Sequence, residues 1–184
     1  MTKKQLRELI REDREYYFGN LTLHIGRILT HNPVYHRGKY IITCRKVGYY
    51  SSCHDTILGR IQLWHYKRKK NKLGERLGIE LGPNEFGRRL RIYHNNIVIN
   101  AGAIIGNDCE LHGNNCIGNK GSSSDALGAP IIGNDVSFGV GANAIGKISV
   151  CDHVQVSSMS LVNKNITESG LYGGIPVRLI RSKT

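Results

Sequence analysis

Several features that define other classes of protein are missing from this 184-residue sequence. No apolar run approaches the roughly 18–20 residues of a membrane-spanning helix, and the charged segment 1–18 lacks the apolar stretch of a signal peptide. The five cysteines form no C-x-x-C pair, which argues against a disulfide framework or a zinc knuckle. There is no P-loop or G-x-G-x-x-G motif, so no nucleoside triphosphate or NAD site is indicated. We therefore expect a reduced, cytoplasmic protein.

Charge and glycine are unevenly distributed along the chain. The sequence has 26 Lys and Arg against 14 Asp and Glu, a formal net charge of +12. Residues 1–72 carry +11 of this charge and residues 73–184 only +1, whereas 17 of the 22 glycines lie in the second segment. Two segments of different physical character are therefore joined near Lys72.

A six-residue repeat runs through the second segment. Apolar residues open successive hexapeptides at 99, 105, 111 and 117, and an equivalent frame returns at 132, 138, 144, 150 and 156. Gly or Asn stands beside many of these apolar residues. The two frames are offset by three residues, and the Gly- and Ser-rich insert at about 120–130 predicts an extruded loop.

The repeat has a direct physical interpretation. Each hexapeptide supplies one short strand and one tight turn, in which Gly or Asn provides the positive φ. The apolar side chain points into a narrow prism, three sides close one coil, and successive coils pair as parallel ladders about 4.8 Å apart. This pattern is typical of hexapeptide solenoids, and it predicts a left-handed parallel β-helix over residues 73–172.

The first segment is predicted to be helical. Leu6, Leu9 and Ile10 recur at helical spacing, and a second apolar cluster at 57–64 precedes a basic run. We interpret Gly38, like other Gly and Pro residues of this segment, as a break between helices. The sequence thus predicts an α+β protein with a basic helical region at 1–72, the β-helix at 73–172, and a C-terminal turn and tail at 173–184.

Two histidines of the repeat segment are candidates for acid–base chemistry. His94 and His112 are separated by three hexapeptides, the length of one coil, so we expect one to lie directly above the other. A neutral imidazole can accept the proton of an alcohol that attacks a thioester carbonyl. A nearby carboxylate would orient the ring, and Glu80 and Glu85 are candidates. His153 is out of phase and is interpreted as a surface residue.

Four motifs within residues 78–180 resemble the hexapeptide-repeat acyltransferases of the serine acetyltransferase type. They are GIELGP at 78–83, RIYH at 91–94, IGNKG at 117–121 and GGIPVRLI at 173–180. The last is similar to the terminal G-x-P-A-R element of that family. The resemblance implies an acetyl-CoA-dependent O-acetyltransferase that acts as a homotrimer, with each site between neighbouring prisms.

The resemblance also implies roles for individual residues. It places the catalytic histidine at His94 and the family's acidic residue at Glu80. Tyr93 stands where serine acetyltransferases have an aspartate, and Ala129 where they have a second active-site histidine. We expect His94 to be the base and His112 to orient the acceptor or share the proton, while backbone amides stabilise the oxyanion.

The motifs also bear on the acceptor. IGNKG, the His112-Gly113 pair and the absence of a histidine at 129 resemble the colanic acid and exopolysaccharide acetyltransferase branch. We therefore expect acetyl transfer to a sugar hydroxyl of a surface polysaccharide precursor. The alternatives are a serine O-acetyltransferase, a non-catalytic β-helix scaffold and, more remotely, a zinc lyase; no metal is expected.

Small residues along the coil edge are candidates for a cofactor groove. The pantetheine arm of CoA can reach backbone N–H and C=O groups only where side chains are small. Gly139, Gly141, Ala142 and Ser157 meet that demand and match the groove of the family.

Basic residues in the matched motifs are candidates for the CoA phosphates. Lys120, in the motif that also contains Gly118 and Gly121, and Arg178 are favoured as charge-assisted donors.

The basic N-terminal region has its own alternatives. Cations at 67–72 can lie favourably at the C-terminus of a helix, or can form a patch that binds anionic lipid, reinforced by trimerisation. The second alternative predicts association of residues 1–72 with the inner face of the membrane. Nucleic acid is not expected as a partner, because no recognised binding fold accompanies the charge.

Overall fold

A computed structural model describes residues 1–53, 55–82, 86–121 and 128–182. The chain divides into two units, Met1–Ile79, which is helical, and Glu80–Thr184, which is built from short strands. Glu85, one of the candidate carboxylates, lies outside the described residues. The predicted order of helices followed by a parallel β-helix is confirmed.

Four helices make up the first unit. They are α1 (Lys3–Phe18), α2 (Leu21–Leu29), α3 (Pro33–Ser51) and α4 (Ile57–Leu77). Each begins after a polar residue whose side-chain oxygen accepts a backbone N–H of the first turn, namely Thr2, Asn20, Asn32 and Thr56. Within the described part of the chain, no helix combines the length and apolar character needed to cross a membrane.

Gly38 lies inside α3, so the expected helix break at this position is wrong. A Cβ built on Gly38 would lie 2.5 Å from Cβ of Tyr17 in α1. The glycine therefore serves a close approach between the two helices rather than a turn.

A buried ion pair joins α1 to α3. Nε of Arg45 donates to Oδ2 of Asp13 at 3.1 Å, and the two side chains are only 5% and 1% exposed. Burial raises the pKa of Asp13, and the attraction of Arg45 opposes that shift. The charged carboxylate is therefore tolerated in the helical unit only because the guanidinium accompanies it.

In the described part of the second unit, three sheets form the faces of the prism, and their strands are parallel except for the last strand of sheet C. Sheet A consists of β1 (Ile79–Glu80), β3 (Ile97–Ile99), β6 (Asn115–Gly118), β9 (Asn143–Ile145) and β12 (Leu161–Val162). Sheet B consists of β4 (Ile104–Ile105), β7 (Ile131–Ile132) and β10 (Ser149–Val150). Sheet C consists of β2 (Arg91–Ile92), β5 (Glu110–Leu111), β8 (Ser137–Phe138), β11 (Val154–Val156), β13 (Gly170–Gly173) and β14 (Arg178–Ser182).

The apolar repeat positions point into the prism. Those in both sequence frames are buried, and they pair across the insert as Ile105 with Ile132, Leu111 with Phe138, and Ile117 with Ala144. Before the insert, Ile99 pairs with Ile117 in the next coil. The sequence separation between partners across the insert, such as Ile105 and Ile132, is larger by one and a half hexapeptides. The insert therefore lengthens one coil without disturbing the inward column, and its residues 122–127 lie outside the described part.

The coils turn at stacked positions of positive φ. Between sheets B and C these positions are Arg89, Asp108, Asp135 and His153, and between sheets C and A they are Asn96, Asn114, Gly141 and Met159. Side chains at the first corner join neighbouring coils. Arg89 forms an ion pair with Asp108 and donates to it twice, at 2.5 and 2.6 Å, and Nδ1 of His153 lies 2.8 Å from Oδ2 of Asp135. Hydrogen bonds from Arg89 lower the pKa of Asp108.

The expected turn is present at 174–177, but the residues after it form a strand rather than a tail. Residues 178–182 form β14, which pairs antiparallel with β13 at one end of sheet C. This strand is exposed along its whole length.

Substitution of one member of the buried pair should unfold the helical unit more easily. Arg45→Met leaves the Asp13 carboxylate buried without a countercharge, so we expect a loss of roughly 3–5 kcal/mol in the free energy of unfolding. The pKa of Asp13 should then lie further above its unfolded value, so this loss should grow as pH rises through the titration range of the carboxyl. Urea unfolding followed by circular dichroism measures it.

The double variant Asp13→Leu/Arg45→Met should recover most of the lost stability. The matched control is Arg11→Met in the exposed Arg11–Glu15 pair of α1, at 4.0 Å, which should cost less than about 0.5 kcal/mol. A double variant no more stable than Arg45→Met would contradict this account of the pair.

Candidate functional site

Both candidate histidines lie at the corner between sheets C and A, but not in the predicted arrangement. Ile92 pairs with Leu111, and Ile97 pairs with Asn115. Leu111 is one position further from Ile92 in the sequence than Asn115 is from Ile97. The turn that follows β2 is therefore one residue longer than the turn that follows β5. The expectation that His94 lies directly below His112 is wrong, because this extra residue shifts the alignment by one position.

Tyr93 takes the position that was expected for His94. Its ring stacks on that of His112, with centroids 4.6 Å apart and planes 18° from parallel. His94 lies instead beside Gly113, where a Cβ would approach Cβ of His94 to 2.6 Å and where φ is +112°. Position 113 therefore requires glycine, both for its positive φ and because a side chain would collide with His94. His94 thus lies next to the residue that follows His112.

Glu110 connects the polar side chains around His112. Its Oε1 accepts from Nη1 of Arg91 at 2.8 Å and from the hydroxyl of Tyr93 at 3.1 Å. Its Oε2 lies 3.6 Å from Nε2 of His112, and Oγ of Ser137 lies 3.3 Å from the same nitrogen. The outer face of sheet C thus carries a cationic, an anionic and an imidazole group in direct succession.

A buried asparagine holds the corner in place. Asn115 is 2% exposed, and its Oδ1 accepts the N–H of Gly113 at 2.8 Å. Its Nδ2 donates to the carbonyls of Gly139 and Ala142 in the next coil, each at 2.8 Å. The side chain therefore fixes the turn that follows His112 against the turn above it, and three of its hydrogen-bonding positions are satisfied.

A column of small residues continues from His112 along the prism. Because Leu111, Phe138 and Val156 are in register, Gly139 lies above His112 and Ser157 above Gly139. Gly173 follows, and Oγ of Ser157 lies 3.2 Å from the position of a Cβ on Gly173. The column ends there, because Cδ1 of Ile180 lies 2.8 Å from that same position.

The other predicted cofactor residues are distributed over the prism. Arg178 is exposed and pairs with Gly173 at the far end of the column. Gly141 lies at the same corner as His112. Ala142 is fully buried inside the prism, and its N–H and carbonyl are bonded to Gly139 and Asn115, so the structure does not place it where a ligand could contact it.

A second edge of the prism carries the loop motif. Gly118 ends β6, and its carbonyl accepts the N–H of Gly146 at 2.8 Å. Cε of Lys120 lies 3.0 Å from the position of a Cβ on Gly146, which places Lys120 at the corner between sheets A and B, with Gly121 following it. The structure therefore does not bring Gly118, Lys120 and Gly121 to the His112 column of the same chain.

Glu80 occupies β1 on sheet A and is exposed. Among the described residues, no hydrogen bond or ion pair joins it to His94.

Sequence reasoning missed Arg91, Glu110, Ser137 and Asn115. The signal that could have found the first two is alternation, because residues two apart in a strand share a face. Arg91 and Glu110 each stand two positions before an outward ring, that of Tyr93 or His112. Within the described residues, no group of three or more His, Cys, Asp or Glu is placed to hold a metal ion.

The described part of the chain combines N-terminal helices with a parallel β-solenoid that carries a histidine corner and a column of small residues. No model of a known protein family matches the sequence. The serine acetyltransferase of Buchnera aphidicola is 30% identical over 127 residues, which cover 65% of this chain and 49% of the relative. The serine acetyltransferase of Synechococcus elongatus is 25% identical over 173 residues, covering 89% of this chain and 68% of the relative.

Solved structures show the same fold. Serine acetyltransferase of Brucella abortus superposes with a TM-score of 0.75 at 16% identity, covering 99% of this chain and 71% of that one. Its complex with coenzyme A gives a TM-score of 0.71 at 18% identity, covering 99% and 70%. This chain spans about half the length of the Buchnera relative. Together these comparisons show the fold, and they show similarity in sequence to serine acetyltransferases.

The comparisons correct the expected acceptor and branch. The two sequence relatives and the solved structures described above are serine acetyltransferases, and none of them is a colanic acid or exopolysaccharide enzyme. The expectation of a sugar hydroxyl as acceptor is therefore wrong, since it depended on short motifs and on the absence of one histidine. The association of residues 1–72 with the inner face of the membrane, which was linked to that acceptor, finds no support in the comparisons either.

Removal of the Asn115 amide should loosen the histidine corner. Asn115→Ala leaves the buried N–H of Gly113 and the buried carbonyl of Ala142 without this partner, whereas the Gly139 carbonyl keeps the N–H of Ala142. Each orphaned buried group costs roughly 1–3 kcal/mol. We expect the free energy of unfolding to fall by at least about 2 kcal/mol, as measured by urea unfolding. The matched control, Asn134→Ala in an exposed turn, should cost under about 1 kcal/mol. Equal losses in the two variants would show that burial of the amide has no special effect.

Proposed function

We propose that this chain is an acetyl-CoA-dependent serine O-acetyltransferase with His94 as general base. The observation that carries the proposal is the column of small residues that begins at the histidine corner and ends beside Arg178. The likeness to serine acetyltransferases in sequence, and in fold to a serine acetyltransferase solved with coenzyme A, supports both substrates.

The column has the dimensions of a cofactor groove. Three coil steps separate His112 from Gly173, which is about 14 Å at the usual spacing of strands. A pantetheine arm laid along Gly139 and Ser157 would meet strand backbone rather than side chains. Its thioester end would then lie at the histidines, and its phosphate end would reach Arg178, a charge-assisted donor.

The histidine corner can perform the transfer. Nitrogen of the neutral His94 ring takes the proton of the serine hydroxyl as the oxygen attacks the thioester carbonyl. The oxyanion of the tetrahedral intermediate requires hydrogen-bond donors at the corner. When the intermediate collapses, the C–S bond breaks and the imidazolium returns its proton to the CoA sulfur. O-acetylserine and CoA leave, and His94 is neutral again.

The two edges that carry candidate residues favour a homotrimer. The His112 column lies at the corner between sheets C and A, and Lys120 lies at the corner between sheets A and B. A site between neighbouring prisms would place the Lys120 edge of one subunit beside the His112 edge of the next. This arrangement would let Lys120, Gly118 and Gly121 contribute to cofactor binding, although they are remote from the column within one chain.

Removal of the imidazole should abolish transfer. His94→Ala lacks the base, so CoA release with acetyl-CoA and L-serine should fall by about 10²–10⁴-fold in kcat. The thiol released is followed with a chromogenic disulfide. His153→Ala, in an exposed turn outside the site, should keep full activity. Unchanged CoA release by His94→Ala would refute the role of His94, and wild-type protein that binds no acetyl-CoA in calorimetry would favour a scaffold instead.

A large side chain in the column should block the cofactor. Ser157→Phe fills the groove, so we expect the KM for acetyl-CoA to rise at least about tenfold, equivalent to about 1.4 kcal/mol of binding. Gln155→Phe is the matched control, because Gln155 lies on the same strand and the same outer face but in the neighbouring column. Its KM should stay within about twofold of the wild-type value. Similar KM values for both variants would place the cofactor elsewhere.

A further inference from the structure

The outer face of sheet C presents two polar columns beside the histidine corner. Arg91, Glu110 and Ser137 are neighbours in the first column, and Tyr93 and His112 are neighbours in the second. The first column lies further than the second from the turn between sheets C and A, and it continues to Gln155. The cofactor groove uses only the second column, above His112, so the charged pair of the first has no part in the proposed chemistry.

We propose that Arg91 and Glu110 recognise the zwitterionic head of the amino-acid acceptor. The guanidinium of Arg91 binds the α-carboxylate, and the carboxylate of Glu110 binds the α-ammonium. This inference rests on the proposed function, since it assigns the acceptor side of the same site.

The charges of the pair match those of an amino acid. In the unliganded chain Nη1 of Arg91 and Oε1 of Glu110 are 2.8 Å apart, and their side chains are 37% and 25% exposed. Both groups are therefore reachable by a small solute and yet partly shielded from water. When a zwitterion binds, the contact between Arg91 and Glu110 is replaced by two contacts, one from Arg91 to the α-carboxylate and one from Glu110 to the α-ammonium. The zwitterion brings no net charge into the site. The planar guanidinium suits a carboxylate especially well, because it can donate two parallel hydrogen bonds.

The spacing of the two columns fits serine. Residues two apart in a strand are separated by about 6.6 Å, so the head lies over the first column and the hydroxyl extends towards the second. The serine hydroxyl is one methylene from the Cα that carries both charged groups. It can therefore approach the histidines of the corner while the head contacts Arg91 and Glu110.

Neighbouring side chains hold Glu110 in position. The hydroxyl of Tyr93 donates to Oε1 at 3.1 Å, and Oε2 lies 3.6 Å from Nε2 of His112. Glu110 is thus a specificity residue whose position depends on the stacked Tyr93 and His112 rings.

A second interstrand ion pair provides a matched comparison. Arg89 and Asp108 also lie in neighbouring coils and are also joined by short hydrogen bonds. They occupy the corner between sheets B and C, at the opposite end of the same strands from the histidines. If Arg91 and Glu110 had only a structural role, changes in the two pairs would have similar effects on catalysis.

The experiment compares three acceptors in the CoA-release assay. They are L-serine, ethanolamine, which lacks the carboxylate, and 3-hydroxypropionate, which lacks the ammonium. For Arg91→Gln we expect kcat/KM for L-serine to fall about 10²-fold while that for ethanolamine stays within about threefold. For Glu110→Gln we expect the same loss with L-serine, while 3-hydroxypropionate is little affected. The KM for acetyl-CoA should not change in either variant.

The control variants Arg89→Gln and Asp108→Asn should preserve the wild-type preference among the three acceptors. The inference is overturned if the Arg91 and Glu110 variants lower all three rates equally, or if they retain the preference for L-serine. Calorimetric titration of L-serine separates this result from failure of the proposed function. Wild-type protein that binds L-serine without releasing CoA, with binding lost in both variants, overturns the transferase proposal and supports the recognition site. Wild-type protein that neither binds nor acetylates L-serine overturns both.

Discussion

The parallel ladder spacing between coils is the constraint on which the second unit depends. Strands of successive coils lie about 4.8 Å apart, and the turns that join them must stack at the same distance. A Cβ on Gly106 would lie only 2.4 Å from the carbonyl oxygen of Gly133 in the next coil, so side chains are excluded from such positions. Residues equivalent in register therefore become neighbours in space, and a linear sequence is converted into columns. The buried apolar columns hold the prism together, and one outer column consists of the small residues Gly139, Ser157 and Gly173 above His112.

This constraint explains both the success and the error of the sequence-based prediction. The six-residue period identified the inward positions, such as Leu111 and Phe138, because burial imposes that period on every coil. The period does not reveal the length of an individual turn. One additional residue between β2 and β3 moved Tyr93 onto His112 and His94 beside Gly113. Gly38 shows the same limitation. From the sequence alone, a glycine that permits close contact between helices cannot be distinguished from a glycine that ends a helix.

The site was only partly predictable for a related reason. His94 and His112 were recognisable from their chemistry, whereas Glu110 acquires its importance from Arg91 and Tyr93 one coil away. Contacts across coils depend on register, and register depends on turn lengths that local motifs do not encode. The prediction of a sugar acceptor was wrong because it relied on two short motifs and not on the similarity of the whole chain. The similarity to serine acetyltransferases extends over most of the residues, and it is therefore the stronger guide.

The antiparallel strand β14 has a consequence for solubility. A parallel solenoid ends in a row of unpaired backbone groups that could accept another strand, and such open edges promote end-to-end association. At one end of sheet C that row is covered by β14, which runs in the opposite direction and exposes Arg178 and Arg181. A further coil in the parallel sense would have to pair with a strand of reversed polarity and approach two cations. The strand β14 thus replaces the open parallel edge of sheet C by an antiparallel, cationic one, which disfavours edge-to-edge pairing at this position.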